Sequence, residues 1–217
     1  MLTYWINFLR STKEMHYFCS LLIEIFVPLH SNMTPQEYTQ LKAFARQDGV
    51  LLALLWIGGF ACYILGLSNP MLGLAAMVLI CATPFFAASR LRHFRDYGRE
   101  GIISFTRSYA YTVFIFFYAG ILLAVAIYLY FTFIDNGFLM GKILETIQSP
   151  EGQKIIELYG MTKEIDENIK LIAGMRPIDY SLNMLTINII SGFILGIPIA
   201  AIMQRRTSKS DSLNAKQ

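Results

Sequence analysis

The sequence predicts an all-α, polytopic membrane protein: four transmembrane helices, with a small extracytoplasmic helical segment between helices 3 and 4. Three observations predict this fold class. The chain is 55% hydrophobic and only 15% charged, whereas soluble domains carry about 25% charge. Residues 49–89 contain no charged side chain in 41 positions, about twice the ~20 residues that a helix needs to cross a bilayer. Lysines and arginines also cluster in three regions that four spans would place on one side.

The uncharged run at 49–89 is predicted to form a transmembrane hairpin. Its one interruption is Ser68-Asn69-Pro70, and these residue types favour turns. The run therefore divides into spans at about 49–67 and 71–89.

Two further apolar runs predict the third and fourth spans. Residues 108–134 and 180–204 contain no charge over 27 and 25 positions. In hydrocarbon every backbone polar group needs an internal partner, so runs of this length are expected to be helices. The ends of the third span carry tyrosines, which prefer membrane–water interfaces. They are Tyr109, Tyr111, Tyr128 and Tyr130.

The basic residues predict the orientation. They lie before the first span, between the second and third, and after the fourth: Lys42, Arg46, Arg90, Arg92, Arg95, Arg99, Arg107, Arg205, Arg206, Lys209 and Lys216. The positive-inside rule places these regions and both termini in the cytoplasm. The segment 135–179 would then lie outside, with a net charge of −3.

Two terminal segments are predicted to differ from the four-helix transmembrane domain at 33–206. Residues 1–32 form an N-terminal extension, whose apolar stretch at 17–29 is too short to span a bilayer. Residues 207–217 are expected to be a disordered cytoplasmic tail.

A helix is predicted to begin directly after Met33. Thr34 can cap it, Pro35 suits its first position, and Glu37 completes a capping box. Two interpretations of residues 1–32 stay open: Met33 is the natural start of the protein, or the extension lies on the membrane as an interfacial helix.

The outside segment is predicted to hold two or three short helices. Ser149-Pro150-Glu151 is typical of a helix start, residues 138–148 suggest a shorter helix before it, and Gly160 is a weak point. Apolar residues are expected near one face: Ile155, Leu158, Ile165, Ile169 and Ile172. This face could pack on the membrane surface or the outer ends of the spans, dock a partner, or cover a ligand.

Small residues in the fourth span predict a helix-packing seam. Asn188, Gly192, Gly196 and Ala200 recur every four residues, and small residues let helices approach closely in lipid, where a polar amide can bond across the interface. The seam could close the bundle, join a second copy or a partner helix, or line a transport path. Gly58 and Gly59 mark a second point of close approach.

Other residues carry weaker expectations. Pro84 and Pro198 predict kinks, and Thr83 could bond a backbone carbonyl that Pro84 frees. Three thiols, which lack metal spacing, are expected to be buried and inert: Cys19, Cys62 and Cys81. Four arginines are candidate contacts for anionic lipid, or serve topology alone: Arg90, Arg92, Arg95 and Arg99. No catalytic residue, cofactor-binding site or metal site is expected.

Three stretches carry a resemblance to a known family: Thr83-Pro84-Phe85, Arg95-Asp96-Tyr97 with Gly101 to Phe105, and Ser191-Gly192 with Gly196-Ile197-Pro198. Residues from about Thr34 to Arg206 resemble a family of small bacterial inner-membrane proteins known only as a domain of unknown function (number four-one-nine-nine). The resemblance implies four helices with a longer loop before the last, an inner-membrane location and no assigned activity. It also implies that such genes often lie beside a membrane glycosyltransferase gene.

These observations favour a non-enzymatic accessory or scaffold subunit of the inner membrane, with a membrane glycosyltransferase as a candidate partner. A small oligomeric transporter or channel is the alternative. A third interpretation is an enzyme that acts on a lipid phosphate through residues 90–107. The expected partners are the lipid bilayer and a membrane protein or second copy of the chain. Nucleic acid is not expected, because a net charge of +3 is too small.

Overall fold

The computed structural model describes residues 33–160 and 162–205. The predicted N-terminal extension at 1–32 and the predicted tail at 207–217 lie outside the described residues. The predictions about these two segments remain untested. The chain divides into two compact units, residues 1–44 and 45–217.

All helices that the described residues form fall into two groups. Four are long and apolar enough to cross a membrane: α1 (Pro35–Gly66), α2 (Pro70–Gly98), α3 (Phe105–Phe133) and α7 (Pro177–Met203). Three short helices lie between α3 and α7 in the chain: α4 (Phe138–Gln148), α5 (Pro150–Tyr159) and α6 (Thr162–Ala173). The predicted fold class is confirmed.

The start of α1 follows the predicted capping box. The Thr34 amide donates to Glu37 Oε2 at 3.0 Å, and the Glu37 amide donates to Thr34 Oγ1 at 3.3 Å. The helix then continues unbroken to Gly66. The capped helix and the span predicted at 49–67 are therefore one element.

Helix α2 runs past its predicted end at residue 89 to Gly98. Arginine and leucine are good helix formers, and Leu91 and Phe94 are buried in this extension. Residues 90–98, which the predicted spans leave in the connection between helices 2 and 3, therefore belong to α2. Only residues 99–104 connect α2 to α3.

The turn of the hairpin depends on two glycines and one cap. Asn69 Oδ1 accepts from the Met71 amide at 3.1 Å and caps α2. A Cβ atom on Gly66 would lie 2.6 Å from Gly73 Cα, so the helices meet here backbone to backbone. A Cβ atom on Gly58 would meet nothing within 4 Å. The expected close approach at Gly58 is therefore wrong, because this position borders open space.

Helix α3 is the central helix of the bundle. Over its most apolar stretch 56% of the residues are buried inside the protein, against 17% for α2. Its most extensive partner is α7, although the short helices separate the two in sequence.

The outside helices differ in part from the prediction. Ser149 caps α5 by accepting from the Gly152 amide at 3.0 Å, as expected. Gly160 ends α5 with φ +64°, a left-handed conformation that favours glycine. This break resets the helical phase, so the single face predicted from Ile155 to Ile172 is wrong.

The apolar residues within α5 also point in two directions. Ile156 lines a cavity of about 450 Å³ together with Leu144 of α4 and Ile165 of α6. Ile155 and Leu158 are exposed on the other side of α5.

The hairpin turn generates a prediction. Gly66→Ala should lower the free energy of unfolding by about 1–3 kcal/mol, because the new methyl group overpacks against Gly73. Gly58→Ala is the matched control and should be neutral or slightly stabilising, since the position is open. Unfolding by SDS in mixed micelles measures both. Equal effects of the two substitutions would contradict the close approach.

Candidate functional site

The uncharged run at 49–89 is flanked by two residues that bind each other. Arg90 Nε donates to Asp48 Oδ1 at 2.7 Å, and an Arg90 terminal nitrogen contacts the same oxygen. The Asp48 side chain is 2% exposed and that of Arg90 is 28% exposed. Both residues are 21 positions from Asn69 at the turn. An antiparallel hairpin therefore brings them to the same level.

A third helix completes this cluster. The Tyr111 hydroxyl of α3 donates to Asp48 Oδ2 and lies 3.4 Å from the Arg90 carbonyl oxygen. The Tyr111 ring is fully buried and stacks on Phe94 of α2, with centroids 4.6 Å apart and planes 3° apart. We call Asp48, Arg90 and Tyr111 the charge cluster.

The charge cluster corrects one prediction and adds a residue that no prediction named. Tyr111 is not an interfacial tyrosine, because it is buried against a carboxylate. The added residue is the buried acid Asp48, one position before the charge-free stretch at 49–89. The signal that could have revealed it is the pair of opposite charges at equal distances from the predicted turn.

A second polar link lies two turns deeper in the hairpin. Trp56 Nε1 of α1 donates to Thr83 Oγ1 of α2 at 3.0 Å, and both groups are buried. The Trp56 ring also packs edge-on against Phe116 of α3, with centroids 5.4 Å apart. We expected Thr83 to bond a backbone carbonyl that Pro84 frees. In the structure its hydroxyl oxygen accepts the bond from Trp56 and so joins two helices.

The predicted seam of α7 lies against α3. A Cβ atom on Gly192 would lie 2.6 Å from Phe116 Cβ, and one on Gly196 would lie 3.0 Å from the Tyr109 ring. Ala200 is fully buried. The small residues thus make room for aromatic side chains of the same chain.

Asn188 packs against α3 by van der Waals contact, and its amide nitrogen does not bond across to that helix. Its amide nitrogen donates to the Met184 carbonyl oxygen of its own helix at 2.8 Å, so the expected amide bond between helices is wrong for this donor. A Cβ atom on Gly120 of α3 would lie 3.4 Å from Asn188 Cβ. The polar link between α3 and α7 is instead made by Ser181, whose hydroxyl donates to the Ala124 carbonyl oxygen at 2.7 Å.

The predicted lipid-contact arginines do not form one group. Arg90 belongs to the charge cluster. Arg95 binds Asp96 at 2.7 Å and donates to the Met203 carbonyl oxygen of α7 at 3.3 Å. Arg92 is largely exposed and lies 3.7 Å from Asp96. Arg99 follows α2 and lines a separate depression with residues of α3 and the chain after α7.

A largely apolar cavity of about 540 Å³ is lined by all four long helices. Each long helix contributes to its wall, for example through Trp56 of α1, Thr83 of α2, Phe116 of α3 and Asn188 of α7. It could hold hydrocarbon or a small apolar solute. No sequence pattern predicts this cavity, because its walls come from all four helices.

Two observations concern metal and thiol chemistry. Within the described ranges no three His, Cys, Asp or Glu side chains are grouped so as to hold a metal ion. Cys62 is partly buried and Cys81 is exposed on the surface of the helices, so the expectation of a buried thiol is wrong for Cys81. Cys19 lies outside the described residues.

The four apolar helices define the class of this molecule: it is a multi-pass integral membrane protein. Residues 47–205 match the family described as "Protein of unknown function (DUF4199)". The match covers most of the chain, and the protein belongs to this family. No curated protein and no solved structure matches it.

The charge cluster generates a prediction about stability. Asp48→Asn removes the charged partner of the partly buried Arg90 guanidinium and should lower the free energy of unfolding by about 3 kcal/mol. This value is at the low end of the range for broken buried ion pairs, because Arg90 is partly exposed. Tyr111→Phe leaves one carboxylate oxygen without its donor and should lower it by about 1–3 kcal/mol.

SDS titration in mixed micelles measures both changes. Arg92→Gln is the control, since it also removes a charge of this region but at an exposed position, and should change stability by about 0.5 kcal/mol or less. An Asp48→Asn protein as stable as the Arg92→Gln protein would show that the charge cluster does not hold the helices together.

Proposed function

We propose that this protein is a non-enzymatic accessory or scaffold subunit of the bacterial inner membrane, and that it partners a membrane glycosyltransferase acting on lipid-linked sugar. The observation that carries the proposal is how the buried polar side chains are used. Asp48, Thr83 and Ser181 each bind a group on another helix. Both carboxylate oxygens of Asp48 are occupied by such contacts. These groups fix the arrangement of the helices, which supports a structural role.

The proposed orientation places both termini in the cytoplasm. Arg95 contacts the end of α7 at Met203, and Arg205 pairs with Ile103 before α3. Arg205 and the basic residues of the α2–α3 connection therefore share one end of the bundle. Their common position supports a cytoplasmic assignment of that end by the positive-inside rule.

A partner surface is proposed on helix α5. Ile155, Leu158 and Tyr159 have the helical spacing of one face and are 54%, 77% and 69% exposed. Ile156, the next residue after Ile155, points away from these three and lines the cavity shared with α4 and α6. We call the exposed residues the α5 face. An exposed apolar face on a helix outside the spans favours contact with an apolar partner surface.

The α5 face can be tested by site-specific cross-linking. A photoreactive amino acid at position 158 should cross-link to the glycosyltransferase in native membranes, and the same group at Gly141 of α4, an open position, should not. Leu158→Glu should abolish co-purification in mild detergent by placing a carboxylate in the contact, whereas Gly141→Glu should preserve it. Cross-links to lipid alone, or a protein that purifies alone, would contradict the proposal.

A second candidate function is a small oligomeric transporter or channel, and the four-helix cavity favours it. Its wall includes Thr83, Asn188 and Ser191 among mostly apolar side chains. Such a wall suits a solute with an apolar body and one or two polar groups.

The transport candidate predicts a selective effect on flux. Asn188→Leu should reduce flux of a transported solute in proteoliposomes by about tenfold or more, because it removes an amide from the cavity wall. Asn183→Leu changes the same residue type at an exposed position of the same helix and should leave flux unchanged. Equal flux through both variants would contradict a path through this cavity.

A further inference from the structure

Three arginines that are distant in sequence converge on one depression of about 720 Å³. Arg99 follows the end of α2, Arg107 lies in the first turn of α3, and Arg205 follows the end of α7. Ser104 and Glu100 also line it. We call this feature the arginine depression. It lies where α2 ends, α3 begins and the chain leaves α7.

A short backbone bridge brings Arg205 to this place. The Ile103 amide donates to the Arg205 carbonyl oxygen at 3.0 Å, and the Arg205 amide donates back at 2.9 Å. Ile103 is fully buried, which anchors the bridge in the protein. The bridge uses only the backbone of Arg205, and the residue also lines the depression.

The charge of the arginine depression favours an anion. Three arginines and one carboxylate, Glu100, line the depression. The charge of Arg205 also acts on the nearby Asp96 carboxylate, and positive charge still exceeds negative charge here. Ser104 caps α3 by accepting from the Arg107 amide at 3.5 Å, and the positive end of the α3 dipole adds to the field. Arg99 and Arg107 also make other interactions, so the depression offers converging positive charge rather than unpaired side chains.

Exposed apolar residues place the depression at the level of lipid head groups. Tyr97 is 80% exposed and Ile102, which lines the depression, is 43% exposed. Both adjoin the end of a membrane-spanning helix. Tyrosine and aliphatic side chains beside arginine suit the boundary between hydrocarbon and water.

We propose that the arginine depression binds a phosphate group, carried by an anionic phospholipid or by a soluble phosphate compound. Guanidinium groups recognise phosphate oxygens through paired hydrogen bonds. The site differs from the four arginines that the sequence suggested, since only Arg99 belongs to both. It does not depend on the accessory function proposed above.

Native mass spectrometry of the full-length protein in mild detergent tests the site. Phosphatidylglycerol should bind with higher affinity than phosphatidylcholine, and Arg205→Gln should weaken its binding about fivefold. Adding Arg99→Gln and Arg107→Gln should weaken it about fivefold for each arginine. Arg92→Gln is the charge-matched control, because Arg92 lies on the same end of α2 but does not line the depression, and it should have little effect.

Arg205→Lys tests whether the site recognises phosphate by charge alone or also by the planar geometry of the guanidinium group. This variant keeps the charge and the backbone bridge but loses the planar fork, so its loss of binding should be smaller than that of Arg205→Gln. Because Arg205 contributes only backbone to the bridge, both single variants should fold even where the triple variant does not.

Inorganic phosphate distinguishes the two sources. Displacement of phosphatidylglycerol by millimolar phosphate supports a soluble phosphate compound, whereas resistance to phosphate supports a lipid head group. The proposal is overturned when phosphatidylglycerol binds no better than phosphatidylcholine and phosphate does not bind, or when Arg92→Gln weakens binding as much as Arg205→Gln.

Discussion

A carboxylate removed from water has to be paired and hydrogen-bonded, and the arrangement of three helices follows from this requirement at Asp48. Arg90 on the next helix supplies the opposite charge, and Tyr111 on the third supplies a second hydrogen bond. Since both partners must reach one side chain, the depth and rotation of α1, α2 and α3 are fixed together. The bond between Trp56 and Thr83 repeats the constraint deeper in the hairpin.

The fourth long helix is held in a different way. Lipid offers no hydrophobic force between helices, so association depends on close packing and polar contacts. Gly192 and Gly196 admit the rings of Phe116 and Tyr109, and one hydroxyl bond from Ser181 adds direction. In this bundle the α1–α2 hairpin is held by an ion pair, and the α3–α7 pair is held by close packing. The four-helix cavity has walls from both pairs.

The number of spans, the turn and the helix caps were predictable because the bilayer and the local backbone dictate them directly. The contacts of Tyr111 and the arginine depression were not predictable, because they depend on which helix faces meet. Tyr111 has the sequence pattern of an interfacial residue, and only its position opposite Asp48 makes it internal. Gly58 and Gly59 are alike in sequence, yet a Cβ atom would contact a neighbouring helix only at Gly59. Arg205 reaches its depression through two backbone bonds that no side-chain pattern encodes.

We expect the pairing of the two hairpin helices to set an order of assembly during synthesis. Asp48 and Arg90 lie on consecutive helices, so they can meet as soon as α2 has left the ribosome, and Tyr111 joins them shortly afterwards. The glycine seam of α7 is made about 80 residues after Tyr111. Until then the face of α3 that receives α7 is covered by lipid or by the insertion machinery. The half-made protein is therefore expected to be a three-helix intermediate in which one face of α3 is not yet covered by protein.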